Sequence, residues 1–157
     1  MEFTPDNKAR FEEIAARYPV RRSALLPALH LLQEQEGWLT PEAIEYAARL
    51  FDLTAAQVHD TATYYTMYRF KPYGKTHVEV CTNLSCALVG AQQVLEAFER
   101  ELGVRAGETA EDGFVTLRTV ECAGGCGRAV VVAIDHRYRE PVLPEDVPSI
   151  VGELRGR

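Results

Sequence analysis

Long apolar runs are missing from this 157-residue chain: the longest, Ala129 to Ile134, is strand-sized and far short of a membrane span. Concentrated positive charge is missing too. Seventeen Lys and Arg are interspersed with 23 Asp and Glu for a net charge of −6. Counterion release needs clustered cations, so no nucleic acid or direct membrane insertion is expected. The start, Met1-Glu-Phe-Thr-Pro-Asp6, lacks the basic and then apolar regions of a secretory leader, which makes a cytoplasmic location the expectation. Internal repeats and low-complexity tracts are absent, and 46% hydrophobic with 25% charged residues is the balance of a soluble folded chain. No nucleophile–base pair is legible. Gly124-Gly-Cys-Gly127 is not set between a strand and a helix as a nucleotide-binding loop would be.

Cysteine is scarce, and its placement is the main functional signal. All four lie in two fragments, Cys81-Thr-Asn-Leu-Ser-Cys86 and Cys122-Ala-Gly-Gly-Cys126, separated by 35 residues. In a reducing compartment such pairs point to metal or redox chemistry rather than a disulfide framework. A structural zinc site tolerates these spacings. A dithiol redox centre normally uses Cys-x-x-Cys, which neither pair has. Inert buried thiols remain an option, although they usually occur singly. A [2Fe–2S] cluster takes four thiolates, and Gly124, Gly125 and Gly127 would let backbone N–H groups approach an inorganic core. A plain Gly-rich turn would explain the same glycines.

Two halves are expected, residues 1–72 and 73–157. In the first, Phe11, Ile14, Ala15 and Tyr18 recur at helical spacing until Pro19, and Ser23 to Gln35 carries a second apolar face around Pro27. Thr40-Pro41-Glu42 and Thr54-Ala-Ala-Gln57 are helix starts, the second a capping box leading through Val58, Ala62 and Tyr65. A bundle of four short helices follows. After Lys71-Pro-Tyr-Gly-Lys75 the pattern becomes β-α-β-β-α. It comprises a strand from Thr76 to Val80, a helix from Leu88 to Leu102 closed by Gly103, and a polar loop over residues 105–113. A strand from Phe114 to Val120 and a buried strand from Ala129 to Ile134 come next. Asp135-His-Arg137 should turn into a short edge strand near Tyr138, and Val147, Ile150, Val151 and Leu154 should close the fold as a helix with Pro148 in its first turn. This is an α+β chain whose second half is a small α/β sandwich with helices on one or both faces.

With these residues in place, a resemblance can be named. The two cysteine fragments and the amphipathic helix between them resemble the 24-kDa-subunit family of respiratory NADH:quinone oxidoreductase. So do Arg22-Ser-Ala-Leu-Leu-Pro-Ala-Leu-His30, Gln33-Glu-Gln-Glu-Gly-Trp-Leu39, Ala62-Thr-Tyr-Tyr-Thr-Met67 and Lys71-Pro-Tyr-Gly-Lys75, so that the match runs from about residue 8 to residue 135. The resemblance implies a thioredoxin-like [2Fe–2S] ferredoxin domain behind an N-terminal helical bundle. One cluster would be held by Cys81, Cys86, Cys122 and Cys126. It further implies an electron-transfer subunit, with no substrate chemistry of its own, docked on a flavoprotein subunit that carries FMN and oxidises NADH. That larger complex would hold the chain at the inner face of the cell membrane. The same module occurs in NAD-linked formate dehydrogenases and hydrogenases, which are the alternative parents; a zinc-stapled assembly module is the alternative of another class. The chain departs from the family pattern at Cys126-Gly-Arg-Ala-Val130, where relatives carry proline after the alanine.

The other candidates read as structural. His30 sits among leucines and is expected in the core, His77 is expected at the surface near the strand leading to Cys81, and His59 and His136 are scattered. The aromatic run Tyr64, Tyr65, Met67, Tyr68, Phe70 and Tyr73 is expected to be mainly packing with some interface share, and Trp38 a local anchor after Gly37.

Overall fold

Side-chain caps define the helical half. In the computed structural model, which describes residues 1–156, the Thr4 hydroxyl accepts from the Asn7 N–H and opens α1, Pro5–Ala15. That helix stops short of the expected Tyr18. The Arg17 and Tyr18 N–H groups bond three residues back rather than four, and Pro19 disfavours helical geometry before it. A 3-10 turn, Arg21–Ala24, leads into α2, Leu25–Glu36, with Pro27 tolerated in its first turn and Gly37 ending it at φ 82°. Thr40 and Pro41 start α3, Pro41–Phe51, and the reciprocal Thr54–Gln57 box starts α4, Ala55–Thr63. Here too the helix ends before the expected residue, Tyr65. The hydroxyls of Thr61 and Thr63 bond back to the Gln57 and Asp60 carbonyls, consistent with a last turn that frays. Phe11, Leu29, Leu32 and Val58 are fully buried at the centre, with Phe3 and Phe51 against Phe11 and the Arg21 guanidinium 4.9 Å from its ring.

The backbone divides into two compact units between Pro72 and Tyr73, and each buries a core of its own. Arg157, the last residue of the expected second domain, lies outside the described residues. The second unit is built on β1, Thr76–Cys81. It pairs in parallel with β2, Val115–Val120, and antiparallel with β3, Val132–Ile134, which carries the edge strand β4, Arg137–Arg139. The order is β2-β1-β3-β4. Asp135 and His136 both take positive φ, the geometry of a two-residue hairpin between β3 and β4.

A parallel pair demands a crossover. It is made by two helices rather than the single one expected from Leu88: α5, Leu84–Leu88, and α6, Ala91–Leu102. Gly90 at φ 101° breaks the chain between them. Leu88 is therefore 77% exposed, whereas Ala91, Val94, Leu95, Phe98 and Leu102 are buried. A closing helix α7, Val147–Arg155, has Pro148 in its first turn and buries Val147, Ile150, Val151 and Leu154 beside α6. These helices cover one sheet face, that of Val78, Val80 and Leu117. The alternate residues Glu79 and Arg118, paired as ions, lie on the other. The third strand is also shorter than expected. Ala129 to Val131 leave the regular ladder, although Val130 and Val131 stay buried, and they supply single bonds to Cys81 and Val142 instead. The Ala129–Val130 peptide is cis.

Gly74 shows how little slack the sheet has. Its N–H donates to the Thr116 hydroxyl at 2.7 Å, and an added Cβ would lie 2.6 Å from the Val115 backbone, with no flexible group to yield. Gly74→Ala is expected to destabilise the second unit by about 1–3 kcal/mol. Urea unfolding of the full chain measures this; an unchanged midpoint would mean that the β2 backbone shifts freely.

Candidate metal centre

Parallel pairing places the ends of β1 and β2 side by side, with Cys81 opposite Val120. The Thr82 N–H donates to the Val120 carbonyl at 3.1 Å and fastens the two departing loops together. From β1 the chain makes a short excursion. The Asn83 side chain accepts from the Leu84 N–H at 2.8 Å, opening α5, and Cys86 lies within that helix facing inward. From β2 the chain passes Cys122, turns at Gly124, where φ is 79°, and reaches Cys126 at the start of a 3-10 turn. Gly125 is hemmed in: a Cβ there would come within 2.8 Å of both Glu140 and Val131. The Arg128 guanidinium donates to the Glu140 carbonyl at 3.1 Å, holding the far side of this loop.

The four thiols therefore gather at one end of the sheet, in two environments. Cys81 and Cys86 are buried, while Cys122 and Cys126 are exposed. Burial pushes the Cys81 thiol up, but the N–H groups of Asn83 and Ala123 and the Cys86 thiol donate to it and bring it below its ordinary value. Burial also pushes Cys86 up. The Val131 N–H opposes this, while the bond to Cys81 and the charges of Cys81 and Cys126 add to the rise. Within this buried pair Cys81 ionises first and Cys86 keeps its proton longer. The Gly124 N–H donates to the Cys122 sulfur at 3.4 Å, and the carbonyl of that same peptide unit accepts a 2.5 Å bond from the Tyr138 hydroxyl.

Among the described residues, no three Cys, His, Asp or Glu side chains converge tightly enough to hold one ion. A two-iron core asks for less convergence, because each iron takes only two thiolates. Paired thiols with backbone donors aimed at their sulfurs match the donor set of such a core, whose thiolate-rich charge needs offsetting.

Three histidines stand apart from this donor set, whereas His136 borders the same small cleft as Cys122. His30 is half-buried, its Nε2 3.1 Å from the Met67 sulfur and its ring beside Tyr68; His59 packs on Phe70. His77 is half-buried rather than free at the surface, with Nε2 3.1 Å from the Gly74 carbonyl and its ring edge-on to Tyr73. Of the aromatic run only Tyr68 is fully buried, its hydroxyl bonded to the Leu26 carbonyl, while Tyr64 is 82% exposed. Trp38 is half-buried and lines an apolar cleft with Ile44 and Phe70. Sequence reasoning passed over Tyr138 and the N–H donors of Ala123 and Val131. The edge-strand position of Tyr138 was visible, but its reach to the cysteine loop depends on hairpin register.

Residues 11–155 match the sequence model of the thioredoxin-like [2Fe-2S] ferredoxin family. Similar proteins include an NADH-quinone oxidoreductase subunit of Mycobacterium tuberculosis, 42% identical over 98% of this chain. The chain spans only 62% of the length of that relative. The NADH-quinone oxidoreductase subunit from Rickettsia bellii is 38% identical, with 98% of this chain and 93% of the relative covered. Among solved structures, an NAD+-reducing [NiFe]-hydrogenase superposes on 82% of this chain and 23% of its own with a TM-score of 0.72. Its 15% identity makes this a likeness of fold.

In the reduced, metal-free chain, iodoacetamide at neutral pH is expected to modify Cys122 and Cys126 at least about tenfold faster than Cys86. Cys86 is shielded, and burial pushes its thiol above its ordinary value. Raising the pH should narrow the gap as Cys86 ionises. Peptide mass mapping gives the rates, and equal rates at neutral pH would show that the buried pair opens freely.

Proposed function

The chain belongs to the thioredoxin-like [2Fe-2S] ferredoxin family, and on that premise we propose that it is the electron-transfer subunit of an NADH:quinone oxidoreductase. In this reading Cys81, Cys86, Cys122 and Cys126 hold one [2Fe–2S] cluster. The chain docks on the flavoprotein subunit that carries FMN and oxidises NADH, and it reaches the inner face of the cell membrane only through the parent complex. No helix among the described residues is long and apolar enough to cross a membrane. The observation that carries the proposal is the gathering of four thiols and their N–H donors at one end of the sheet.

When bound, the cluster supplies storage and passage of one electron at a time. The protein's own residues do the rest. Cys81 and Cys86, with the β1 end and α5 around them, bury one half of the site and exclude water. The backbone donors offset negative charge at the sulfurs, which raises the potential from the low value that an all-cysteine donor set favours. Cys122 and Cys126 bring the other half to the surface.

A docking face there is supported by composition. Residues 80–95 carry no charged side chain, in a chain that is 25% charged. Within that stretch Leu84, Leu88 and Val89 are 70, 77 and 56% exposed. Leu88 and Val89 border a cleft of about 590 Å³ that also contains Cys126 and Arg128. Apolar side chains so exposed beside a redox site are those of a surface that a partner covers. Catalysis at NADH then lies on the partner, and this chain contributes an electron path.

Purified without oxygen, the full chain is expected to be reddish-brown, to contain about two iron and about two acid-labile sulfide per chain, and to bleach on reduction. Cys126→Ser should lose the cluster or change its reduced spectrum. A colourless protein with one zinc, unchanged after iron and sulfide reconstitution, would falsify the electron-transfer reading. Purification with the natural partner and assay with NADH, formate and hydrogen separates a quinone-reducing parent from the formate dehydrogenase and hydrogenase alternatives.

A further inference from the structure

We propose that Tyr138 tunes the electron affinity of the cluster through one peptide unit, Ala123–Gly124, which it polarises from the carbonyl side. The proposal rests on the ligand assignment above and adds a positioning residue that no cysteine spacing reveals. The Tyr138 hydroxyl donates to the Ala123 oxygen at 2.5 Å, and the N–H at the other end of the same amide, that of Gly124, donates to the Cys122 sulfur at 3.4 Å. An amide is delocalised, so a donor at its oxygen makes its N–H a better donor. Tyr138, the Ala123–Gly124 peptide and Cys122 thus form one relay, pointing from the edge strand to the exposed half of the site.

Sheet register explains why the relay exists. Tyr138 is the middle residue of β4 and pairs with Ala133, which in turn pairs with Glu79 of β1. Ala133 is small, and beside it lies a cleft of about 210 Å³ bordered by Val120, Cys122, His136 and the tyrosine ring. The phenol crosses this space to the cysteine loop. Gly124 completes the geometry: at φ 79° it takes a backbone turn that favours glycine and aims its N–H at the sulfur. The Glu79 carboxylate on the same face is occupied by Arg118, so it does not compete for the hydroxyl.

One-electron reduction of a bound cluster, with no bond or proton moved, would place added negative charge partly on the sulfurs that hold it, so the Gly124 N–H at Cys122 would stabilise the reduced form more than the oxidised one. Removing the phenol hydroxyl weakens that donor and disfavours reduction.

The test uses the cluster-loaded full chain, titrated with dithionite and mediators at about pH 7, where a phenol remains protonated and can donate. Visible absorption and the electron paramagnetic resonance of the reduced form are followed. Tyr138→Phe is expected to keep its iron content and to shift the reduction equilibrium roughly threefold toward the oxidised form, about 28 mV lower for a one-electron couple. The resonance signal should move with it. Tyr64→Phe, in the helical unit, should match the wild type. Placing 3-fluorotyrosine, a stronger donor of almost the same size, at position 138 should shift the potential upward, and it decides the matter even if Tyr138→Phe loses its cluster. A loaded Tyr138→Phe chain with unchanged potential and signal overturns the relay and leaves the ligand assignment standing. A fluorotyrosine shift in the same direction as phenylalanine also overturns it. A wild-type chain that takes up no cluster overturns both.

Discussion

In the proposed cluster-bound state four sulfurs would meet as thiolates and repel one another, and the second unit supplies main-chain donors that would offset that repulsion. Its parallel strand pair brings the β1 and β2 ends level, so that Asn83, Ala123 and Gly124 present N–H groups to sulfurs arriving from two different loops. Each donor is a main-chain group, which no substitution other than proline removes and which carries no charge to balance elsewhere. The crossover of α5 and α6 is long enough to return the chain in parallel, and the break at Gly90 lets α5 carry Cys86 inward while α6 packs on the sheet. Had one continuous helix run from Leu84, the face that buries Phe98 would have dictated the orientation of Cys86.

Burial divides the sulfurs unequally, and the division gives the site a direction. Cys81 and Cys86 sit against Val131 and the strand end, so charge on them is poorly solvated and depends on hydrogen bonds. Cys122 and Cys126 face outward from a loop that Arg128 and Tyr138 tether at two points. A group held in this way is insulated on one side and electronically accessible on the other. For the electron carrier proposed above, this would limit leakage to solvent oxidants while keeping the transfer distance to a partner short.

Much of this was legible in the chain itself, because the signals were local. Thr40-Pro41 and the Thr54–Gln57 box mark helix starts through bonds spanning three residues, and the cysteine fragments sit beside runs of β-branched residues. Where local signals competed, the reading was less good. Leu88 continued the apolar spacing of α6, but the positive φ of Gly90 overrode it, and exposure rather than burial is the result. Ala129 to Val131 had the composition of a strand interior, yet their backbone is diverted to Cys81 and Val142, a tertiary demand with no local mark. Tyr138 was missed for the same reason: its partner lies 15 residues back and is met only through the hairpin register.

Sheet edges are where proteins of this kind could join one another by mistake. On one side Gly107, Glu108 and Ala110 bond to β2 and occupy its outer edge. On the other, β4 is three residues long, has arginine at both ends, and is followed by Pro141, which has no N–H to offer. Each edge is thereby blunted as a template for a further strand. Sheet-to-sheet association is disfavoured, while Leu84, Leu88 and Val89 leave an exposed apolar patch in a stretch without charged side chains, which is where the proposed partner would dock.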